Sequence, residues 1–440
     1  MARLPGLTYP RPWLGTSGAF AIWRPGAVET KHHRKLQMFF LEESKSNASE
    51  RCAEESPLDT ILKQTCAGLL SELGVRRVLN GSGTWTKFGS SVVSPETAAS
   101  TAEALQRAFV IEELQDAASR LISDASGAEA GCIMNCSAAG LCVTSAAVIA
   151  GTDLARIYRL PFPDWPKREI LIQKAHAVDF GAQVTQMVRL SGAEIVEAGS
   201  SNCCDPNSLA AYISPRTAGA VFVISHHCPQ HDVVPLPQFA AIMKTAGVPV
   251  IVDAAAEFDI PSMHDAGADL VIQSAQKFPG GPTAGIISGR AALITAVRAQ
   301  SVGIGRAMKA SKEAIVGAMI ALRGVMSRDS EAVRARDAVR LEQAQLRLAG
   351  IDGIATSLDP DPTGIPVTRL RISVDPASAG VGASQLTSLL LAHDPVVATR
   401  DSTAELGYFL IDPRSLNDAE LFELCDIVRD LIQRSSGSVP

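Results

Sequence analysis

Val250-Ile251-Val252-Asp253-Ala254-Ala255 and, a short helix later, Ala268-Asp269-Leu270-Val271-Ile272-Gln273-Ser274-Ala275-Gln276-Lys277-Phe278-Pro279-Gly280-Gly281 decide the fold of this chain. Each contains a short run of aliphatic and β-branched residues without polar alternation, the pattern of a strand covered on both faces. Each run ends in polar groups: Asp253 closes the first, and Ser274 and Lys277 follow the second. A carboxylate at a buried strand end is costly without a partner. A lysine just past an apolar strand, next to glycines, is equally out of place.

Further runs extend the pattern on either side. Glu169–Gln173, Ala220–Ser225 and Ala284–Ser288 read as strands. Helices are expected near Asp179–Arg189, Pro235–Ala246 and Ile260–Ala266. Apolar strands alternating with helices predict an α/β domain built on a mostly parallel sheet covered on both faces, with its chemistry beyond the carboxyl ends of the strands. Upstream, Ser56-Pro57 opens a helix Leu58–Leu73, Ser94-Pro95-Glu96 opens a second, and a third spans Ile111–Ser126 and stops at Gly127. Downstream, a helical region covers Ser311–Leu348. Two strands, Val367–Val374 and Leu406–Ile411, follow with helices near Gln385–Leu391 and Leu416–Ile432, and Asp359-Pro360-Asp361-Pro362 is read as a loop. The expected division is a poorly ordered extension over 1–55, a large domain with its N-terminal segment over 56–310, and a connecting helix with a smaller C-terminal α+β domain over 311–440.

One chemistry accounts for both strand-end groups. Pyridoxal 5'-phosphate requires a lysine that condenses with its aldehyde and an acid opposite its pyridine nitrogen. Desolvation and a nearby cation make such a lysine amine usable near neutral pH. The competing readings are a structural Asp253–Lys277 ion pair or two unrelated polar groups. Asn135-Cys136-Ser137-Ala138-Ala139-Gly140 precedes a helix Leu141–Ala150, and small residues at a helix start let backbone N–H groups approach an anion. Ser137, Ala138 and Ala139 are therefore phosphate-cradle candidates, against simple close helix packing, and Ser274 is a further phosphate ligand. His176, just past a strand, is a candidate to stack on a pyridine ring; the other reading is a polar loop histidine. His226, His227, Cys228 and His231 cluster after another strand, but their spacing does not match a zinc site. A substrate or cofactor contact from Ser225 or His226 is expected there, and no metal. Arg400 is the leading candidate for a carboxylate clamp. Arg369, Arg371 and Arg414 follow, with surface salt bridges as the default for each.

Composition narrows the function classes. The chain has 440 residues, 46% hydrophobic, with 40 basic and 46 acidic side chains and a formal net charge of −6. A mildly acidic chain lacks the basic face that nucleic-acid binding requires, so no nucleic-acid partner is expected. No apolar run reaches the roughly 18 residues of a membrane span. The nine cysteines are scattered, consistent with reduced thiols and a cytoplasmic location. Up to residue 37, Arg3, Arg11, Arg24, Lys31, Arg34 and Lys35 face one acid, Glu29. That start reads as a poorly ordered tail, with a transit peptide or initiation at Met38 as the other readings.

These residues together resemble fold type I pyridoxal-phosphate enzymes, and within them the group of selenocysteine synthase and D-glucosaminate-6-phosphate ammonia-lyase. The resemblance rests on Ile251-Val252-Asp253 with Ser274-Ala275-Gln276-Lys277, on Asn80-Gly81-Ser82-Gly83-Thr84, on Gly305-Arg306-Ala307-Met308-Lys309, on Pro395–Arg400 and on Ile411-Asp412-Pro413-Arg414. The loop at Asn135–Gly140 departs from the Ser-Gly-Ala type of turn usual in the group. The resemblance implies an aspartate aminotransferase-like large domain with a seven-stranded sheet. It also implies Lys277 as the cofactor-bound lysine, Asp253 as partner of the ring nitrogen, and a dimer or larger assembly with shared active sites. The expected activity is a lyase that eliminates water and ammonia from a small β-hydroxy or sugar-derived amino acid to leave a 2-keto acid. A selenium transferase-like β-replacement, another reaction of the same cofactor (racemase, aldolase or aminotransferase) and a cofactor-binding regulatory protein remain open.

Overall fold

The computed structural model describes residues 66–436, except residues 230, 362 and 363. The expected tail over 1–55 and the Ser56 helix cap lie outside the described residues. Of the helix expected from Leu58, the part described is Cys66–Glu72.

Seven strands form the central sheet: β2 (Ala130–Met134), β3 (Glu169–Gln173), β4 (Glu194–Ala198), β5 (Thr217–Val223), β6 (Val250–Asp253), β7 (Leu270–Ser274) and β8 (Gly285–Gly289), in the order β2-β8-β7-β6-β5-β3-β4. From β7 through β4 neighbouring strands run parallel. β8 runs antiparallel to β7 and β2, so the sheet is mixed on that side. The physical reason is length: the turn between β7 and β8 holds no helix, and a parallel return needs a crossover of a dozen or more residues. β2 and β4, which the apolar pattern did not single out, complete the sheet; the glutamates Glu194 and Glu197 dilute the signal in β4.

Alternate residues of one strand enter different cores. Ile251, Leu270, Ile272, Val221 and Ile170 pack with the helix Ser137–Ala150 on one face. Val250, Val252, Val271, Phe222 and Leu171 pack with Phe239 and Met243 on the other. With both faces apolar, the strands carry no polar alternation, which is why they read as continuous hydrophobic runs.

Ser94 caps the helix Pro95–Leu105 by accepting a hydrogen bond from Thr97 N, as its Ser-Pro-Glu start predicts. The helix Ile111–Ser126 ends at Gly127 as expected. The long region from 311 is two helices, Lys312–Met326 and Ser330–Leu348, and Asp329 caps the second through the N–H groups of Glu331 and Ala332. The C-terminal part holds a three-stranded antiparallel sheet, β9 (Ile354–Pro360), β10 (Thr368–Val374) and β12 (Tyr408–Ile411), in the order β12-β10-β9. Asp359 and Pro360, read as loop, are the last residues of β9; an edge strand tolerates a proline at its end. A separate parallel pair joins β1 (Val78–Asn80) to β11 (Val396–Ala398). Leu341, Leu370, Leu386, Phe409 and Leu424 form the core here.

Candidate active site

The carboxyl ends of β2, β3, β5, β6 and β7 lie along one edge of the sheet. This gathers the segments after them, which carry Ser137, His176, His226, Asp253 and Lys277, on that edge.

Asp253 is the last residue of β6, paired in register with Val223 of β5 and Ile272 of β7. It is 5% exposed, and its Oδ1 accepts a hydrogen bond from Ala255 N at 3.2 Å. Burial pushes the carboxyl up to about 6, against the pull of Lys277. Lys277 sits in a tight turn: its N–H donates to Ser274 O at 3.1 Å, and its carbonyl accepts from Gly280 N at 3.2 Å. Gly280 adopts φ +73°, a left-handed conformation that favours glycine. Burial lowers the Lys277 pKa, while Asp253 and Glu257 oppose that shift. Lys277 and Asp253 each perturb the other's protonation, yet among the described residues they form no ion pair within 4.0 Å. The structural ion pair considered from the sequence is therefore absent in the described residues.

The helix beginning at Ser137 starts four residues before the expected position, with Cys136 as its cap. Cys136 Sγ accepts from Ala139 N at 3.4 Å. The first-turn N–H groups of Ser137 and Ala138 have no partner inside the helix by geometry. Ser274 Oγ donates to Ser137 Oγ at 2.8 Å, so both candidate phosphate ligands meet. A Cβ at Gly285 would run into the Cys136 carbonyl, so that position must be small for β8 to pass beneath the loop.

His176 is 2% exposed; its Nδ1 accepts from Val223 N at 3.2 Å and its ring meets Phe222 edge-on at 4.5 Å. Accepting at Nδ1 places the ring proton on Nε2. Burial pushes its pKa down to about 4, which keeps the ring neutral. It is thus a packed histidine on β5, not a polar loop residue. His226 keeps solvent contact, but the protein atoms around it, ahead of His227 and Arg400, push its imidazole down to about 4. Its Nε2 lies 3.5 Å from the Arg400 guanidinium, and its ring is 3.9 Å from that of His227.

Arg400 also lies over the Trp85 ring, 5.8 Å from its centroid. Arg369 is not a surface residue: it is 5% exposed and pairs with Asp361 at 2.7 Å and Asp412 at 3.1 Å. Arg414 binds the same Asp412 at 2.7 Å. Asp412 has no exposed surface; burial raises its pKa, but Arg414 and Arg369 together hold it well below the ordinary carboxylate range. Arg371 lies outside this group, stacked on Tyr408 at 3.5 Å. Lys277, Thr84, Ser91 and Arg414 line a cleft of about 870 Å³.

Sequence reasoning missed four contributors. Glu257, Trp85 and His227 sit around the site, and Gln173 bonds both the N–H and the carbonyl of Val234, pinning the loop that follows β5. A signal for Glu257 existed: an acid four residues past Asp253, after three alanines. The Asn80 motif acts through the backbone. Its Nδ2 donates to the carbonyls of Gly83 and Ser90, and Ser91 in turn donates to Gln276 O at 2.6 Å, next to Lys277.

The donor set fits pyridoxal phosphate: a lysine amine just past β7, a buried acid at the end of the neighbouring β6, and a helix start with two hydroxyls. Comparison with known proteins agrees. D-glucosaminate-6-phosphate ammonia lyase of Salmonella typhimurium is 32% identical over 84% of this chain and 99% of its own length. A solved structure of D-glucosaminate-6-phosphate ammonia-lyase superposes with a TM-score of 0.79, at 32% identity, over 84% of this chain and 100% of that one. A 5'-C-glycyluridine monooxygenase-decarboxylase of a Streptomyces species is 36% identical over 78% of this chain and 87% of its own. The L-seryl-tRNA(Sec) selenium transferase of Solidesulfovibrio magneticus is 26% identical over 79% of this chain and 80% of its own. Residues 78–405 match the L-seryl-tRNA selenium transferase (SelA) family, and the chain belongs to that family of fold type I pyridoxal-phosphate enzymes.

Proposed function

We propose that this protein is a pyridoxal-phosphate-dependent ammonia-lyase that removes water and ammonia from a β-hydroxy or sugar-derived amino acid and leaves a 2-keto acid. The observation that carries this reading is the match to D-glucosaminate-6-phosphate ammonia lyase, which spans 99% of that protein. The selenium transferases are more distant, and a formal net charge of −6 does not favour a tRNA partner.

When bound, pyridoxal phosphate supplies an electron sink that weakens the bonds at the substrate's Cα. Lys277 would hold it through Nζ, and the same amine, when free, would take the substrate's Cα proton. Burial, which lowers the Lys277 pKa, favours the neutral amine this requires. Asp253 would keep a proton on the ring nitrogen. Ser137, Ser274 and the N–H groups of Ser137 and Ala138 would hold the phosphate, Ala139 N–H being taken by Cys136 Sγ, and His176 would pack against the ring. Arg400, steadied by Trp85 and His226, binds the substrate's carboxylate or phosphate as a bidentate partner. Self-association as a dimer or larger assembly belongs to the same reading; Val92, Phe109, Val110 and Ile111 expose apolar side chains that such contacts would cover.

The test is incubation of the purified protein, supplied with pyridoxal phosphate, with D-glucosaminate 6-phosphate and a panel of D- and L-β-hydroxy amino acids without oxygen. Equal release of ammonia and 2-keto acid is expected. A second reading follows from the 36% identity to the monooxygenase-decarboxylase: oxidative removal of a carboxyl group. It requires oxygen uptake and carbon dioxide release, and anaerobic ammonia release separates the two.

A further inference from the structure

The cleft of about 870 Å³ that Lys277 lines is far roomier than a small amino acid needs. Asp253, Ser137 and Ser274 are not among its walls, so this space lies apart from the residues assigned to the cofactor. Thr84, Ser91, Ser94 and Thr97 bring hydroxyl groups to it. Its charges do not balance. Beside Lys277, the walls carry Arg328, Arg336, Arg340 and Arg414 against Glu96, Asp337 and Asp418. A positive cleft in a chain of net charge −6 concentrates anions.

Three of those arginines are engaged. Arg336 pairs with Asp337 at 3.0 Å, Arg340 with Asp337 at 3.2 Å and Asp418 at 2.6 Å, and Arg414 with Asp412 at 2.7 Å. The remaining wall carboxylate, Glu96, pairs with Arg323 at 2.9 Å. Arg328 differs: among the described residues its guanidinium has no ion pair and no hydrogen bond, and it rests over the ring of Phe278, 5.9 Å from the centroid. Phe278 follows Lys277 in the chain and lines the same cleft, so the cation stands over the side chain next to the lysine. The backbone of Arg328 is fixed at the joint between two helices. Its N–H donates to Val325 O at 3.1 Å, and Asp329 beside it caps the helix Ser330–Leu348. Arg328 is exposed, so an anion entering the cleft reaches it. A ring contact steadies a guanidinium, and its uncommitted N–H donors match the oxygens of a phosphate.

Resting on the lyase reading, we infer that Arg328 is the specificity determinant for amino acids that carry a phosphate monoester at the end distant from the amine. The amine reaches Lys277, the phosphate meets Arg328, and the hydroxyl-lined walls accommodate a polyol chain between them. Arg400 is then left with the carboxylate. No bond forms or breaks at Arg328; its contact is made on binding and kept through the reaction, so it sets KM rather than kcat.

The test measures calorimetric binding of D-gluconate 6-phosphate, which has no amine to react, to the cofactor-loaded wild type, Arg328→Ala and Arg328→Lys. Retained visible absorbance of the bound cofactor shows that each variant folds. Arg328→Ala should weaken binding roughly 10–100-fold, and Arg328→Lys should recover part of that loss, because a charge remains without the bidentate fork. In ammonia release from D-glucosaminate 6-phosphate, Arg328→Ala should raise KM by a similar factor with kcat changed less than about threefold. Unchanged affinity in Arg328→Ala, no binding to wild type, or a fall in kcat with KM unchanged would overturn the assignment. The two readings fail separately. If wild type releases no ammonia yet loses gluconate 6-phosphate binding on Arg328→Ala, the phosphate site stands and the lyase reading falls. Ammonia release with Arg328→Ala binding the phosphate normally has the reverse meaning.

Discussion

Ser274 Oγ and Ser137 Oγ lie 2.8 Å apart although 137 positions separate them in the chain. The contact ties the start of the helix Ser137–Ala150 to the strand end three residues before Lys277. A phosphate held there is fixed relative to the lysine amine, so the two hydroxyls set both affinity and alignment. Hydrogen bonds to a charged group contribute about 1.5–3 kcal/mol. Ser137→Ala and Ser274→Ala should each weaken pyridoxal phosphate binding roughly 10–100-fold, read by titrating the cofactor-free protein and following visible absorbance. Unaltered affinity in both would move the phosphate elsewhere.

Lys277→Ala should abolish the visible band of the lysine-bound cofactor, and borohydride reduction of the wild type should label the peptide containing Lys277. Asp253→Asn should keep the band yet lose activity by about 10²-fold or more, because an amide cannot hold a proton on the ring nitrogen. Labelling at another lysine would end this assignment.

Arg400→Ala should raise KM for an anionic substrate by roughly 10–100-fold with a smaller effect on kcat, the pattern of a binding contact made before and during the reaction. Steady-state kinetics on D-glucosaminate 6-phosphate would read it. A fall in kcat with KM unchanged would assign Arg400 to the chemical step instead.

Asp412 is wholly buried between Arg369 and Arg414. Asp412→Asn leaves the buried Arg369 and the partly buried Arg414 guanidinium groups short of a counter-charge and should cost about 3–5 kcal/mol in chemical denaturation. A loss under about 1 kcal/mol would mean that Asp361 alone suffices for Arg369.

His176 sets a pH dependence of stability. Its pKa falls from 6.5 in the unfolded chain to about 4 when buried. Between those values the unfolded chain binds more protons, so its contribution is present above pH 6.5 and is lost as pH falls toward about 4. The slope approaches about 1.4 kcal/mol per pH unit. His176→Gln keeps an acceptor for Val223 N without titrating, so urea unfolding of wild type and variant should diverge across that window and run parallel above it. Asp253 and Glu257, both raised, act with the opposite sign in the cofactor-free protein. The comparison with the variant isolates the histidine.

Much of this was legible in the linear order. Apolar runs marked β3, β5, β6, β7 and β8 because both their faces are buried. Ser94 and Gly127 marked helix ends through local hydrogen bonding and backbone freedom. Reversal of β8 was not legible, since an apolar run carries no direction. Nor was the capping role of Cys136, because a thiol is a weak acceptor and Ser137 beside it is the commoner cap. Arg369 looked like a surface cation because its counter-ions, Asp361 and Asp412, come from separate turns.

The sequence by itself determined the strand-end chemistry of Asp253 and Lys277 and the layered α/β class, because burial and propensity act on neighbours along the chain. Tertiary structure decided what surrounds that pair. Arg400 meets His226 and Trp85, and Ser137 meets Ser274, through contacts between distant segments. Such contacts are set by strand order and packing, and no local pattern encodes them.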